Sequence, residues 1–123
     1  MSIPISSLEE GIRLVKAGQA GEAIYHLRMA IVEEPGNPIA HEYLGAAFAY
    51  EHDRDSAILE LQEAVRLNPE NAAFRYNLGQ GYEVIGDLKS ACMEYATALS
   101  INPDYRLARS AHYALDRSTY TQS

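Results

Sequence analysis

The residues of this chain that could do chemistry are four histidines and one cysteine, and their spacing argues against it. His26, His41, His52 and His112 include no two at helical i, i+4 spacing, whereas a metal site on a helix needs ligands that share a face. No histidine is placed beside Cys92 to suggest a thiolate–imidazole pair. The one glycine pair that resembles a phosphate cradle, Gly79-Gln80-Gly81, falls inside a helical stretch, while phosphate binding needs a glycine loop that opens a helix. The expectation is therefore no catalytic residue, no metal site, no cofactor, and a non-enzymatic role.

Composition narrows the alternatives. The 123 residues are enough for one modest domain with its own core. Ten basic against seventeen acidic residues give a net charge of −7, which argues against binding a phosphate backbone and so against a nucleic-acid partner. The charge is uneven: residues 1–71 hold twelve acids and five bases, residues 72–123 five of each. A single cysteine excludes an internal disulfide framework and fits a reducing compartment. Apolar runs are only a handful of residues long, so no membrane span is expected. Met1-Ser2-Ile3-Pro4 lacks a basic region followed by an apolar stretch, so no signal peptide is expected and the expected location is cytoplasmic.

What must position any binding residue is a repeat. Pro35, Pro69 and Pro103 are separated by 34 residues each time, and so are Ala23, Ala57 and Ala91. Ala30, Ala64 and Ala98 keep the same interval, as do Gly11, Gly45 and Gly79, and then Leu14, Phe48 and Tyr82. Three tandem units follow, 4–37, 38–71 and 72–105. Each reads as two antiparallel helices. In the second unit Tyr43, Leu44, Ala47 and Phe48 make one helical stripe. A break at Glu51-His52-Asp53 precedes a second stripe of Ala57, Ile58, Leu61, Ala64 and Val65.

The boundaries carry start and stop chemistry. Asn37-Pro38 puts a capping side chain before a proline at a first helical position. Ser7 with Glu10 predicts a capping box for the first helix. Asp53 and Asp87 sit where second helices begin, and Gly18 and Gly86 at the intervening turns. The three prolines at the 34-residue interval end the second helices. Gly11, Gly45 and Gly79 remove a side chain where the paired helices approach most closely. Cys92 shares a register slot with Ile24 and Ile58, which marks it as core. Residues 106–117 form a terminal solvating helix with an inward stripe of Leu107, Ala108, Ala111 and Leu115, and 118–123 a polar tail.

With these motifs in place the chain resembles a tetratricopeptide repeat protein. The family's pattern stands as Leu44-Gly45, Phe48, Ala57, Leu61, Ala64, Pro69 and again as Leu78-Gly79, Tyr82, Ala91, Tyr95, Ala98, Pro103. The first unit departs from it with Glu10 before Gly11, and an aromatic is missing at Ser7, His41 and Arg75. The resemblance implies an all-α, right-handed α-solenoid of three antiparallel helix pairs with a terminal solvating helix, a single domain over 1–123. It also implies non-catalytic protein binding, as an adaptor or assembly factor.

The family architecture turns the first helices into a concave groove. Carried over by register, its lining is Leu8, Ile12 and Val15, then Tyr43, Ala46 and Tyr50, then Tyr76, Asn77, Gln80 and Glu83. One subgroup clamps the C-terminal carboxylate of heat-shock chaperones with Lys, Asn and Arg. The corresponding slots here are Leu8, Ile12, Tyr43, Ala73 and Asn77, without a cation, so that clamp is not expected. The expected ligand is a protein or peptide segment with apolar anchors and basic residues, matching tyrosine contact area and acidic surroundings. A second candidate surface, for self-association into a homodimer, is Tyr25, Met29 and Val32 at i, i+4 and i+7 on a second helix. Two further readings accompany the adaptor: a small acidic secretion-type chaperone that holds a client, and a homo-oligomeric scaffold.

Overall fold

In a computed structural model, described over residues 5–121 with side chains to 117, the helices begin and end where turn chemistry dictates. Residues 1–4, which carry the reading of the chain's start and the first position of the first repeat, and 122–123 at the end of the expected tail, lie outside the described residues. The described residues form seven helices: α1 Ser7–Lys16, α2 Ala20–Glu33, α3 Pro38–Tyr50, α4 Arg54–Leu67, α5 Ala72–Ile85, α6 Leu88–Ile101 and α7 Arg106–Thr121. They divide into two compact units, Met1–Leu67 and Asn68–Ser123.

The caps are chemical. Asn37 accepts from the Ile39 N–H at 3.0 Å with Pro38 as the first helical residue of α3, and Asn71 accepts from the Phe74 N–H at 3.0 Å. Asp53 and Asp87 accept from the N–H of Ser56 and Ser90 at 3.2 and 3.1 Å. Each such side chain satisfies an amide that has no partner in the first helical turn. At α1 the cap is Ser6, which accepts from the Glu9 N–H at 3.1 Å, one residue before the expected Ser7. Ser7 is inside the helix and donates to Glu33 at 2.8 Å, and Glu10 is held by Arg13, so neither is free to cap.

The first helix of each pair ends in the same way. The amides of Gln19, Asp53 and Asp87 reach back to the carbonyls of Leu14, Phe48 and Tyr82 at 2.8, 2.9 and 2.9 Å. This closure requires a left-handed residue just before. Gly18 and Gly86 supply it with φ of 77° and 86°, and the equivalent residue of the middle repeat is His52, with φ 62°. The second helices end at Glu33, Leu67 and Ile101, each two residues before its proline.

In the first unit α1 pairs with α2 and α3 with α4, while α3 also packs on α2 and α1. Leu14, Val15, Ala20, Ala23, Leu27, Leu44 and Ala47 form its buried cluster. In the second unit α6 lies against both α5 and α7, around Ala91, Tyr95 and Leu115. Cys92 is half-buried against that cluster, and burial raises its thiol pKa. Close approach explains the glycines: a methyl group on Gly11 would lie 2.6 Å from Leu27, on Gly45 3.0 Å from Leu61, and on Gly79 2.5 Å from Tyr95.

Two details differ from expectation. Helix α7 extends to Thr121, four residues beyond 117, because Ser118 to Thr121 contain neither a proline nor a glycine to stop it. Leu107 is 56% exposed, whereas Ala108 and Leu115 are buried. A helix turns about 100° per residue, so Leu107 lies at the outer edge of the stripe that Ala108, Ala111 and Leu115 form.

Candidate functional site

The first-helix faces are built differently in the two units. In the first unit Leu8, Tyr43 and Ala46 are half-buried and lean on the core, Ile12 is half-buried, and Tyr50 is 63% exposed at the end of α3. Val15 does not belong to this surface. It is 6% exposed within the core cluster beside Ala20, Leu44 and Ala47, because α3 covers the last turn of α1. Its place as a lining residue is corrected to that of a core residue.

In the second unit the face of α5 is polar and hydrogen-bonded. Gln80 Nε2 donates to the Tyr76 hydroxyl at 2.9 Å. The Tyr76 ring lies against two further tyrosines, 5.7 Å from Tyr95 and 5.6 Å from Tyr105, centroid to centroid. Tyr95 is 1% exposed, and its hydroxyl donates to Glu83 Oε1 at 2.7 Å. Burial, and then the adjacent Glu83 carboxylate, push the Tyr95 pKa well up, so the hydroxyl stays a donor. Gln80, Glu83 and Val84 line a shallow, open depression of about 180 Å³, and Val84 is 58% exposed. Asn77, one residue from Tyr76, is half-buried and engaged in its own contacts.

The pairing Tyr95–Glu83 was not apparent from the sequence, since neither residue stands at a helical interval from the other. The same holds for a pair that recurs between first and second helices. His41 Nδ1 lies 2.6 Å from Glu60 Oε2, and Arg75 Nη1 3.3 Å from Glu94 Oε2. Both pairs occupy the same two slots of the 34-residue register. Among the described residues no group of histidine, cysteine and carboxylate side chains is placed to hold a metal, and no helix is long and apolar enough to cross a membrane.

On α2 the second candidate surface is exposed, with Tyr25 at 66%, Met29 at 40% and Val32 at 74%. Tyr25 also meets His26 edge to face, at 5.3 Å.

This geometry agrees with comparison to known proteins. The family model for the tetratricopeptide repeat matches residues 46–106. A crystal structure of MamA superposes with a TM-score of 0.86 at 26% identity, over 92% of this chain and 66% of that one. The chain thus spans just under two thirds of that relative. The Arabidopsis OM64 TPR domain gives 0.85 at 21% identity, over 91% and 93%. The first TPR of Spaghetti (RPAP3), bound to the HSP90 peptide SRMEEVD, gives 0.86 at 20% identity, over 93% and 90%. Comparison with curated protein sequences gives no match. The chain is a tetratricopeptide repeat protein, all-helical and of the α-solenoid class. Tetratricopeptide repeats generally mediate protein–protein interaction.

Proposed function

We propose that this chain is a non-catalytic adaptor or assembly factor that binds a partner segment through the first-helix faces of its repeats. One observation carries the reading: Tyr50 and Val84 occupy the same slot of successive repeats, and both are apolar and exposed, at 63% and 58%. Large apolar side chains left in water at a repeated position are what a recognition surface offers, and tyrosine adds contact area with few rotatable bonds. Half-buried Leu8, Ile12, Tyr43 and Ala46 offer apolar contact in the first unit, and Tyr76, Asn77, Gln80 and Glu83 offer polar contact in the second. The ligand differs from the acidic-ended peptide on the RPAP3 relative, because Leu8, Ile12, Tyr43, Ala73 and Asn77 carry no cation to clamp a carboxylate. A segment with apolar anchors and basic residues suits it better.

Peptides selected from a random display library on the immobilised chain test this. Selected sequences should be rich in apolar and basic residues and should lose binding on alanine replacement of Tyr43 and Tyr50, or of Tyr76. Binding that ignores these tyrosines refutes the reading. A second reading, self-association, rests on the exposed Tyr25, Met29 and Val32 of α2. Light scattering over a concentration series separates the two: a dimer abolished by Met29→Glu favours the scaffold, and a monomer at all concentrations removes it.

A further inference from the structure

On the face of α5, residues 80, 83 and 84 stand at i, i+3 and i+4 and share one side of the helix. Exposed carboxylates on helices ordinarily sweep through several rotamers, and ordering one has an entropic cost on binding. Glu83 differs, because Oε1 is held by a hydroxyl whose own ring is wedged in the core at 1% exposure. Glu83 takes no part in the ion pairs Arg13–Glu10, His41–Glu60, Arg66–Glu63 and Arg75–Glu94. Beside it the Gln80 carboxamide is anchored by donating from Nε2 to Tyr76, so its carbonyl oxygen remains an acceptor. Val84 supplies an apolar wall to the same depression. A fixed anion, a neutral acceptor and an apolar wall together complement one kind of group, an apolar stem ending in a cationic donor.

We propose that Gln80, Glu83 and Val84 form a subsite for a lysine or arginine side chain of the bound segment, with Tyr95 as the residue that positions Glu83. The stem lies on Val84 and the cationic head meets Glu83 Oε2 and the Gln80 carbonyl. This subsite rests on the protein-binding reading above, and its test is arranged so that either can fail alone.

The test uses the full chain, ¹⁵N-labelled, with two tripeptide amides, acetyl-Leu-Lys-Leu and its norleucine counterpart, at low salt. The lysine peptide is expected to move the amides of residues 80–84 and to bind about fivefold more tightly than the norleucine peptide, the upper range for an exposed ion pair. Glu83→Gln, an exposed and conservative change, should erase that preference. Tyr95→Phe keeps the ring and should reduce the lysine preference while leaving norleucine binding unchanged. A purely structural role for the hydroxyl would weaken both peptides alike and would overturn the positioning claim. Equal binding of the two peptides, a lysine preference that survives Glu83→Gln, or no movement at 80–84 overturns the subsite. Equal binding accompanied by shifts around Tyr43 and Tyr50 would sink the subsite and leave the wider reading standing.

Discussion

Gly79 lies so close under the ring of Tyr95 that a methyl group there would come within 2.5 Å of Cε1 and 2.7 Å of Cδ1. The ring is 1% exposed and has nowhere to move. Gly79→Ala is therefore expected to lose about 2 kcal/mol, even though alanine is the better helix former by about 1 kcal/mol. Gly45→Ala meets Leu61 at 3.0 Å and the Ala57 carbonyl oxygen at 3.2 Å; half-buried Leu61 can yield, whereas the backbone carbonyl moves only with its helix. That variant should lose less than Gly79→Ala, about 1 kcal/mol, since overpacking outweighs the propensity gain by a smaller margin. Urea unfolding of the two variants checks the contrast.

His52 holds a φ of 62° where the equivalent residues are Gly18 and Gly86. A left-handed backbone costs a non-glycine residue about 1–2 kcal/mol, offset in part by the entropy that glycine loses on folding. His52→Gly should stabilise by about 0.5 kcal/mol, and Gly86→Ala should destabilise by about 1 kcal/mol. Thermal unfolding midpoints that shift the other way would contradict this assignment of strain.

The sequence conveyed the repeat because each boundary has local chemistry, and local chemistry is what a single chain displays. Asn37, Asp53, Asp87 and the glycines at 18 and 86 mark turns by their own side chains, or by the lack of one. Where two neighbours share a chemistry, the register blurs. Ser6 and Ser7 both offer a hydroxyl, and only the structure assigns the cap to Ser6. Val15 and Leu107 depart from the expected pattern because helical periodicity gives a direction around an axis, not what covers that direction. Val15 packs with Leu44 and Ala47 of α3, while Leu107 is exposed. The Tyr95–Glu83 and His41–Glu60 contacts cross between paired helices, so no interval along one helix discloses them.

Tyr95 ties stability to high pH. Its pKa is raised by burial and by Glu83, so the folded chain keeps the proton that the unfolded chain releases above about pH 10. The unfolded state then binds fewer protons, and stability falls as pH rises. It should be full below about pH 10 and then decline by at most about 1.4 kcal/mol per pH unit. Tyr95→Phe should start less stable by about 1 kcal/mol, for the lost hydrogen bond, and decline less steeply. Denaturant unfolding between neutral and alkaline pH measures both slopes.

The cap at α5 is a single side chain, Asn71, 3.0 Å from the Phe74 N–H. Asn71→Ala is expected to cost about 1 kcal/mol without altering the fold. A loss near zero by urea unfolding would mean that water replaces the side chain at no cost.

The central claim is that the first-helix faces, with exposed Tyr50 and half-buried Tyr43 and Tyr76, carry recognition. Its most direct measurement is the affinity of a display-selected peptide for the natural chain and for the Tyr43→Ala, Tyr50→Ala, Tyr76→Ala triple variant, by titration calorimetry. The expected result is a loss of at least about tenfold in affinity with helicity retained, since buried aromatic contacts dominate such interfaces. An unchanged affinity in a folded triple variant would contradict the account and move the binding surface elsewhere on the molecule.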